Sequence, residues 1–403
     1  MSPFTKSHQQ RVNETRNQVL SLRQGLRGLS EPNEKEKLKL RKSYPKAKVD
    51  KVKEIPFSQF KYPIDVDFQE LVQKLKRKES PLEPINVYNH SFIVNPEERC
   101  EGDVEMLYMI KSSPNNFVRR DSIRNTWANE PLMRNLSFRV MYLTALSTRN
   151  AVNALVKWEG DLHRDLLLID YIDNYYNNTL KTTGGLKWAA EYCGNARYVM
   201  FLDDDFYVNT YKMPTLVDFI DKGNYTYGFM GNVMKVAPIR DKSNKWYISV
   251  EAYPYDLYPP FVSAGSWIIT QDLLQDMNLV IPYTKRFIYD DVFIAIVAYK
   301  LKVKPIVIKH FTMTKVSYRT EAFKVTLTSH GYEHSRELSG AWNCTVAYTQ
   351  KLDLPHYCFS RKKIPRKRIT LSESDRARVE ARFKVQFEEY LRKKMMRKPN
   401  LMM

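Results

Sequence analysis

A chain of 403 residues with 43% apolar and 13% aromatic residues carries enough hydrophobic surface to bury a sizeable core, which excludes a disordered middle. The formal charge of +19 invites a phosphate-binding reading, yet the excess sits near both ends, in basic runs at 35–42 and 361–368. With no zinc-finger spacing and no aromatic-basic repeat, no nucleic-acid partner is expected, and the charge reads as basic extensions on a nearly balanced body.

Residues 1–56 are polar and Lys/Arg-rich, with an amphipathic pattern over 12–29 but no aromatic core, and read as an extension or stem. The first residues, MSPFTKSHQQRVNETRNQ, lack the apolar run of a signal peptide, and no apolar stretch reaches the roughly 18 residues of a membrane span. No membrane anchor is therefore expected in this chain, although membrane association remains open. From residue 57 a globular pattern begins, in which strand-like 106–110, 138–143 and 166–169 alternate with helix-like 117–127 and 151–162. That alternation predicts an α/β domain with a mostly parallel central sheet.

A helix is predicted over 179–192, with a tolerated Gly184-Gly185 pair, followed by the apolar run 198–202 and then Asp203, Asp204 and Asp205. The aspartates thus fall at a strand's carboxyl end, where ligands bind in open α/β sheets. Asp290 and Asp291 open an apolar helix over 292–299, a position the helix dipole favours for carboxylates. Near the end, Val379, Phe383, Phe387 and Leu391 recur at four-residue intervals, predicting an amphipathic helix over 373–391 between basic runs. It packs on the body or meets a membrane surface or partner. Three units follow: an extension over 1–56, a catalytic domain over 57–358 and a basic tail over 359–403.

Cys100, Cys193, Cys344 and Cys358 are widely spaced with no C-x-x-C pair, so three disulfide pairings are open. Sequons at Asn13, Asn89, Asn135, Asn177, Asn224 and Asn343 permit passage through a secretory pathway, and the oxidising reading is preferred to reduced, buried thiols.

Three adjacent carboxylates raise one another's pKa, a conflict that a divalent cation resolves. Oxygen ligands suit Mg²⁺ or Mn²⁺. Alternation along an extended segment sends Asp203 and Asp205 to one side and Asp204 to the other. An acidic turn is the bland reading; the apolar strand before and Phe206-Tyr207-Val208-Asn209 after favour a site.

The segment FLDDDFYVN resembles the D-x-D segment of the β1,3-galactosyltransferase and β1,3-N-acetylglucosaminyltransferase family, type II Golgi enzymes. Other landmarks follow in family order. RDSIRNTW at 120–127 is similar to R-x-x-I-R-x-T-W, and DYIDNYYNNTLKT at 170–182 to D-F-x-D-x-Y-x-N-L-T-x-K-T. YPPF at 258–261 with SAGSW at 263–267 resembles Y-P-P-Y-C-S-G-G-G-Y, and DDVF at 290–293 resembles E-D-V-F/Y. The resemblance spans roughly 92–358.

It implies a GT-A, Rossmann-like domain that binds a UDP-sugar and transfers galactose or an N-acetylhexosamine, with inversion, to a glycan on lipid or protein in β1,3 linkage, in the Golgi lumen or at its membrane. Arg120 and Arg124, four apart on a helix, present forks suited to diphosphate or uracil oxygens, and the resemblance turns them to the donor. Lys181, Asp203, Asp204 and Gly265 complete the implied donor side. Asp291 is the implied base, beside Asp290, which replaces the usual glutamate. Asp203, Asp205 and His330, which precedes a helix expected to end at Trp342, are the implied metal ligands, with His334 as the alternative histidine. Imidazole favours Mn²⁺ over Mg²⁺. Ala264-Gly265-Ser266 stands where the family has three glycines, which leaves the sugar open. Rival readings are a retaining or differently linked transferase, a catalytically degenerate sugar-binding relative and a basic nucleic-acid-binding protein.

Overall fold

The computed structural model describes residues 54–79, 82–86, 88–130, 136–355, 357–359 and 385. The helix expected over 12–29 lies outside the described residues, as does that over 373–391 except for position 385.

After α1 (Phe68–Lys76) and β1 (Phe92–Val94), the chain alternates as the apolar runs imply: β2 (Val104–Lys111), α2 (Phe117–Arg124), β3 (Phe138–Leu146), α3 (Asn150–His163), β4 (Leu166–Ile172), α4 (Asn178–Tyr192) and β5 (Ala196–Asp203). Then come β6 (Phe206–Val208), α5 (Met213–Lys222), β7 (Phe229–Met234), β8 (Phe261–Thr270), α6 (Gln271–Val280) and α7 (Asp290–Lys300). Short strands β9 (Ile306–Val307), β10 (Phe311–Thr312) and β11 (Thr328–His330) lead into α8 (Ser335–Thr349).

The main sheet has eight strands in the order β1-β4-β3-β2-β5-β8-β7-β9. Strands β4, β3, β2 and β5 run parallel, so the mostly parallel α/β expectation holds for its core. Beyond β5 the sheet turns antiparallel through β8 and β7, and β9 pairs parallel with β7. Continuous apolar runs are needed because helices cover both faces. Leu107, Met109, Leu143, Val199 and Phe201 enter one core cluster, while Met106, Tyr108, Ile110, Tyr142 and Met200 enter the other.

Helix α4 lies very close to this sheet. A Cβ on Gly185 would sit 2.6 Å from Leu143 Cδ1 and 3.0 Å from Phe201 Cε1, so the Gly184-Gly185 pair is a packing requirement rather than a tolerated defect. Helix α2 stops at Arg124, short of residue 127. Helix α8 runs on to Thr349, so Trp342 lies inside it rather than at its end.

Of the three possible pairings the chain makes Cys100–Cys193 and Cys344–Cys358, leaving no free cysteine. Among the described residues no helix is long and apolar enough to cross a membrane.

Candidate active site

Parallel pairing of β2 with β5 sets Lys111 opposite Asp203 at the carboxyl end of the sheet. A second, three-stranded sheet in the order β10-β11-β6 pairs His330 with Phe206, and so brings the histidine back over the acidic triplet. The backbone N–H groups of Gly331 and Tyr332 both donate to the Asp205 carbonyl, at 3.0 and 2.8 Å, fixing that approach.

As alternation predicts, Asp204 points away from Asp203 and Asp205. Asp204 is buried and accepts from Ser112 Oγ at 2.7 Å, Asn116 Nδ2 at 2.8 Å and Arg119 Nη1 at 2.9 Å. Those three partners turn it inward, a correction to its placement on the donor side: it anchors the turn that carries its neighbours. Asp203, with 41% of its side chain exposed, opens to the cleft, its Oδ1 3.1 Å from Lys111 Nζ. Asp205 Oδ2 lies 3.0 Å from His330 Nε2. The structure thus brings His330, not His334, to the triplet; His334 supplies the N-cap position of α8.

Opposite stands the N-terminus of α7. Buried Lys111 bridges the two sides, its Nζ donating to Asp290 Oδ2 at 2.8 Å, and Thr182 Oγ1 donates to the same oxygen at 2.7 Å. Asp290, expected to share the catalytic role, is therefore a bridging carboxylate facing Lys111. Asp291 accepts from the Val292 N–H on Oδ1 at 2.9 Å and from the Ala264 backbone.

These positions set the charges. Partial shielding from water at the cleft floor, with Asp205 and Asp290 nearby, pushes Asp203 up to about 6 against the pull of Lys111. Burial acts upward on Asp205 too, but its bond to His330 and the charge of Arg119 hold it below the usual carboxylate value. His330 is raised by that same bond. Asp291 is pushed up to about 7, by burial first and then by Asp290.

Among the described residues no three His, Cys, Asp or Glu side chains form a ready ligand cluster. The donor chemistry nevertheless fits a hard divalent cation. Asp205 Oδ1 is buried with no hydrogen-bond partner, while its other oxygen meets the His330 imidazole, so a free carboxylate oxygen stands beside a ring nitrogen.

The remaining donor-side expectations need correction. Arg120 is fully buried; its Nε donates to both Glu159 oxygens, at 2.9 and 3.0 Å, and its Nη2 donates to Glu159 Oε2 at 2.6 Å. Arg124 pairs with Glu159 at 2.7 Å and with Asp165 at 2.7 and 2.8 Å. Both forks face inward, toward α3 and the start of β4. Lys181 is also buried, donating to Asp173 at 3.0 Å and to the Ser112 carbonyl at 3.1 Å. Arg119, one position before the arginine singled out, is the one that faces the triplet.

Gly265 stands beside the acidic triplet. It lies in β8, and a Cβ there would stand 2.4 Å from Phe206 Cε2 and 3.4 Å from Asp203 Oδ2. Gly265→Ala is expected to push Phe206, and with it Asp205, out of place. Misplacement by an ångström costs on the order of 10²-fold in rate, so a fall in kcat of at least roughly tenfold is expected; near-normal kcat in steady-state assays would contradict the close packing.

Residues 118–309 match the profile of the family described as Galactosyltransferase. The Drosophila melanogaster protein β-1,3-galactosyltransferase brn is 32% identical over 240 residues, spanning 58% of this chain and 72% of that one. Human β-1,3-galactosyltransferase 1 is 30% identical over 262 residues, spanning 64% and 80%. Human lactosylceramide 1,3-N-acetyl-β-D-glucosaminyltransferase is 31% identical over 267 residues, spanning 63% and 69%. The chain is a glycosyltransferase and belongs to the β1,3-galactosyltransferase and N-acetylglucosaminyltransferase family.

Proposed function

We propose that the protein moves galactose or an N-acetylhexosamine from a UDP-sugar to a hydroxyl of a glycan acceptor, on lipid or protein, forming a β1,3 bond with inversion and requiring a divalent metal. The observation that carries this reading is the buried, unpartnered Asp205 Oδ1 beside His330, with Asp291 across the cleft at a pKa pushed up to about 7. Both galactosyl and N-acetylglucosaminyl transfer appear in the names of relatives, which leaves the sugar between them.

Asp205, His330 and Asp203 would hold the ion, and the imidazole favours Mn²⁺ over Mg²⁺. When bound, the cation supplies charge neutralisation at the diphosphate, worth several kcal/mol. Asp291 takes the proton from the acceptor hydroxyl as that oxygen bonds to the anomeric carbon. The bond from that carbon to the diphosphate breaks, and UDP leaves with the electron pair. Lys111 holds Asp203 and Asp290 in place, and Asp204 fixes the turn through Ser112, Asn116 and Arg119. A base facing away from the leaving group makes the displacement inverting. Residues 57–358 form the catalytic unit between basic extensions, and the two disulfides suit a Golgi lumen.

The test is calorimetric binding of UDP with and without Mn²⁺, then transfer from UDP-galactose, UDP-N-acetylglucosamine and UDP-N-acetylgalactosamine to a saccharide panel. Manganese-dependent binding and a β1,3 product, both lost in EDTA, are expected. No UDP binding with any divalent metal overturns the reading.

A further inference from the structure

On the Asp291 side of the cleft the chain exposes aromatic surface that the reaction described so far does not use. Tyr175 and Tyr176, 50% and 55% exposed, stand in the turn Tyr175–Asn177 between β4 and α4. That turn is held by the Asn174 side chain, which accepts from the Tyr176 N–H at 2.9 Å. Across from it, Trp246 Nε1 donates to the Tyr175 hydroxyl at 3.3 Å. Lys245 Nζ lies 4.3 Å from the Trp246 ring centroid and 5.4 Å from that of Tyr175, a cation joining the two rings.

The loop carrying Trp246 is tied to the catalytic helix. Tyr289, the residue before Asp290, donates its hydroxyl toward the carbonyls of Lys245 at 3.2 Å and Tyr247 at 3.3 Å. The Tyr175 phenol is raised by partial burial and further by the carboxylates of Asp291, Asp290 and Asp203, so the ring lies within their field. Tyr175 is half-exposed and Trp246 partly so, and two rings held beside one another by a hydrogen bond and a cation present an aromatic surface at the cleft.

We propose that Tyr175 and Trp246 form the acceptor platform, against which the terminal hexose of the glycan lays its C–H face so that one hydroxyl reaches Asp291. The inference rests on the proposed function, because it takes Asp291 as the base: in a single displacement the acceptor enters from the base's side, and the leaving diphosphate lies on the other. A pyranose has one face of C–H groups, and rigid aromatic rings bury such a face at small cost in side-chain entropy. The hydroxyls around its edge stay free for polar partners and water.

The test uses the full chain and its Trp246→Ala, Tyr175→Ala and Trp246→Phe variants. Either alanine is expected to raise the acceptor KM by roughly tenfold, the equivalent of about 1.4 kcal/mol of stacking, with kcat, donor KM and UDP affinity within about threefold of wild type. Trp246→Phe is expected to recover most of the loss. Independently of turnover, saturation-transfer NMR with lactose, methyl β-galactoside and methyl β-N-acetylglucosaminide, in the presence of UDP and Mn²⁺, should give a saccharide signal for wild type that Trp246→Ala loses. An unchanged acceptor KM, no saccharide signal for wild type, or a fall in UDP affinity that would place uracil on these rings each overturns the platform. Absence of UDP binding by wild type is a different failure, that of the transferase reading itself.

Discussion

Asp291→Asn is expected to lower transfer by roughly 10²–10⁴-fold while leaving UDP affinity unchanged. The substitution keeps the size of the side chain at the start of α7 and removes only its ability to accept the acceptor's proton. The environment supports this assignment over the neighbouring Asp290. Asp290 is held below the usual value, because Lys111 and Thr182 outweigh the effect of burial, and it is a weak base with its accepting oxygen engaged. Asp291 is pushed up to about 7 by burial and by Asp290, which makes it a stronger base that is still partly ionised near neutral pH. The sign follows: the active form is the carboxylate, so kcat/KM should rise with pH through about 7 and level off above it. Wild-type turnover in the asparagine variant, or an acidic limb centred near pH 4, would remove Asp291 from the role of base.

Much of the scaffold is legible in the sequence because β2, β3, β4 and β5 each hold an uninterrupted apolar run, at 106–110, 140–143, 166–169 and 198–202, with helix-like segments between them. The antiparallel half is not. Strand β7 reads FMGNVM and β8 reads FVSAGSWIIT, where small and polar residues interrupt the run because β8 packs backbone against Phe206 at Gly265. That Asp204 turns away from its two neighbours is legible from local alternation alone. The arginines are not, since a four-residue spacing says that Arg120 and Arg124 share a face but not where that face points. Their partner, Glu159, lies on another helix. A signal did exist in both missed residues: Glu159 falls among Leu155, Val156 and Trp158, and Lys111 ends an apolar strand, each a charge where periodicity calls for core. Which buried charges meet is a property of the packing, and no single segment records it.

Glu159→Gln is expected to destabilise the fold by about 3–5 kcal/mol, the cost of leaving a buried charge uncompensated. Arg120 and Glu159 are both fully buried side chains, and Arg124, whose other partner is Asp165, shares the same carboxylate. Burial alone would raise Glu159, but Arg120 and Arg124 outweigh it and hold the carboxyl at about 2, below the 4.5 of an unperturbed glutamate. A depressed folded-state pKa means that the contribution is complete above pH 4.5 and is lost as pH falls from there toward 2, so wild-type stability should drop across that window and the variant's should drop less. Urea unfolding at neutral pH and again near pH 3 reads both effects. The damage should also reach the chemistry, because Arg120 Nη1 donates to Ser112 Oγ at 3.0 Å and that hydroxyl donates to Asp204 at 2.7 Å. Replacing Arg120 and Glu159 together by methionine and leucine removes the charge imbalance as well as the pair, so it should recover stability while turnover stays low. If Glu159→Gln instead unfolds within 1 kcal/mol of wild type, the buried triad is not what holds the acidic turn in place, and the support of Asp204 must come from Asn116 and Arg119.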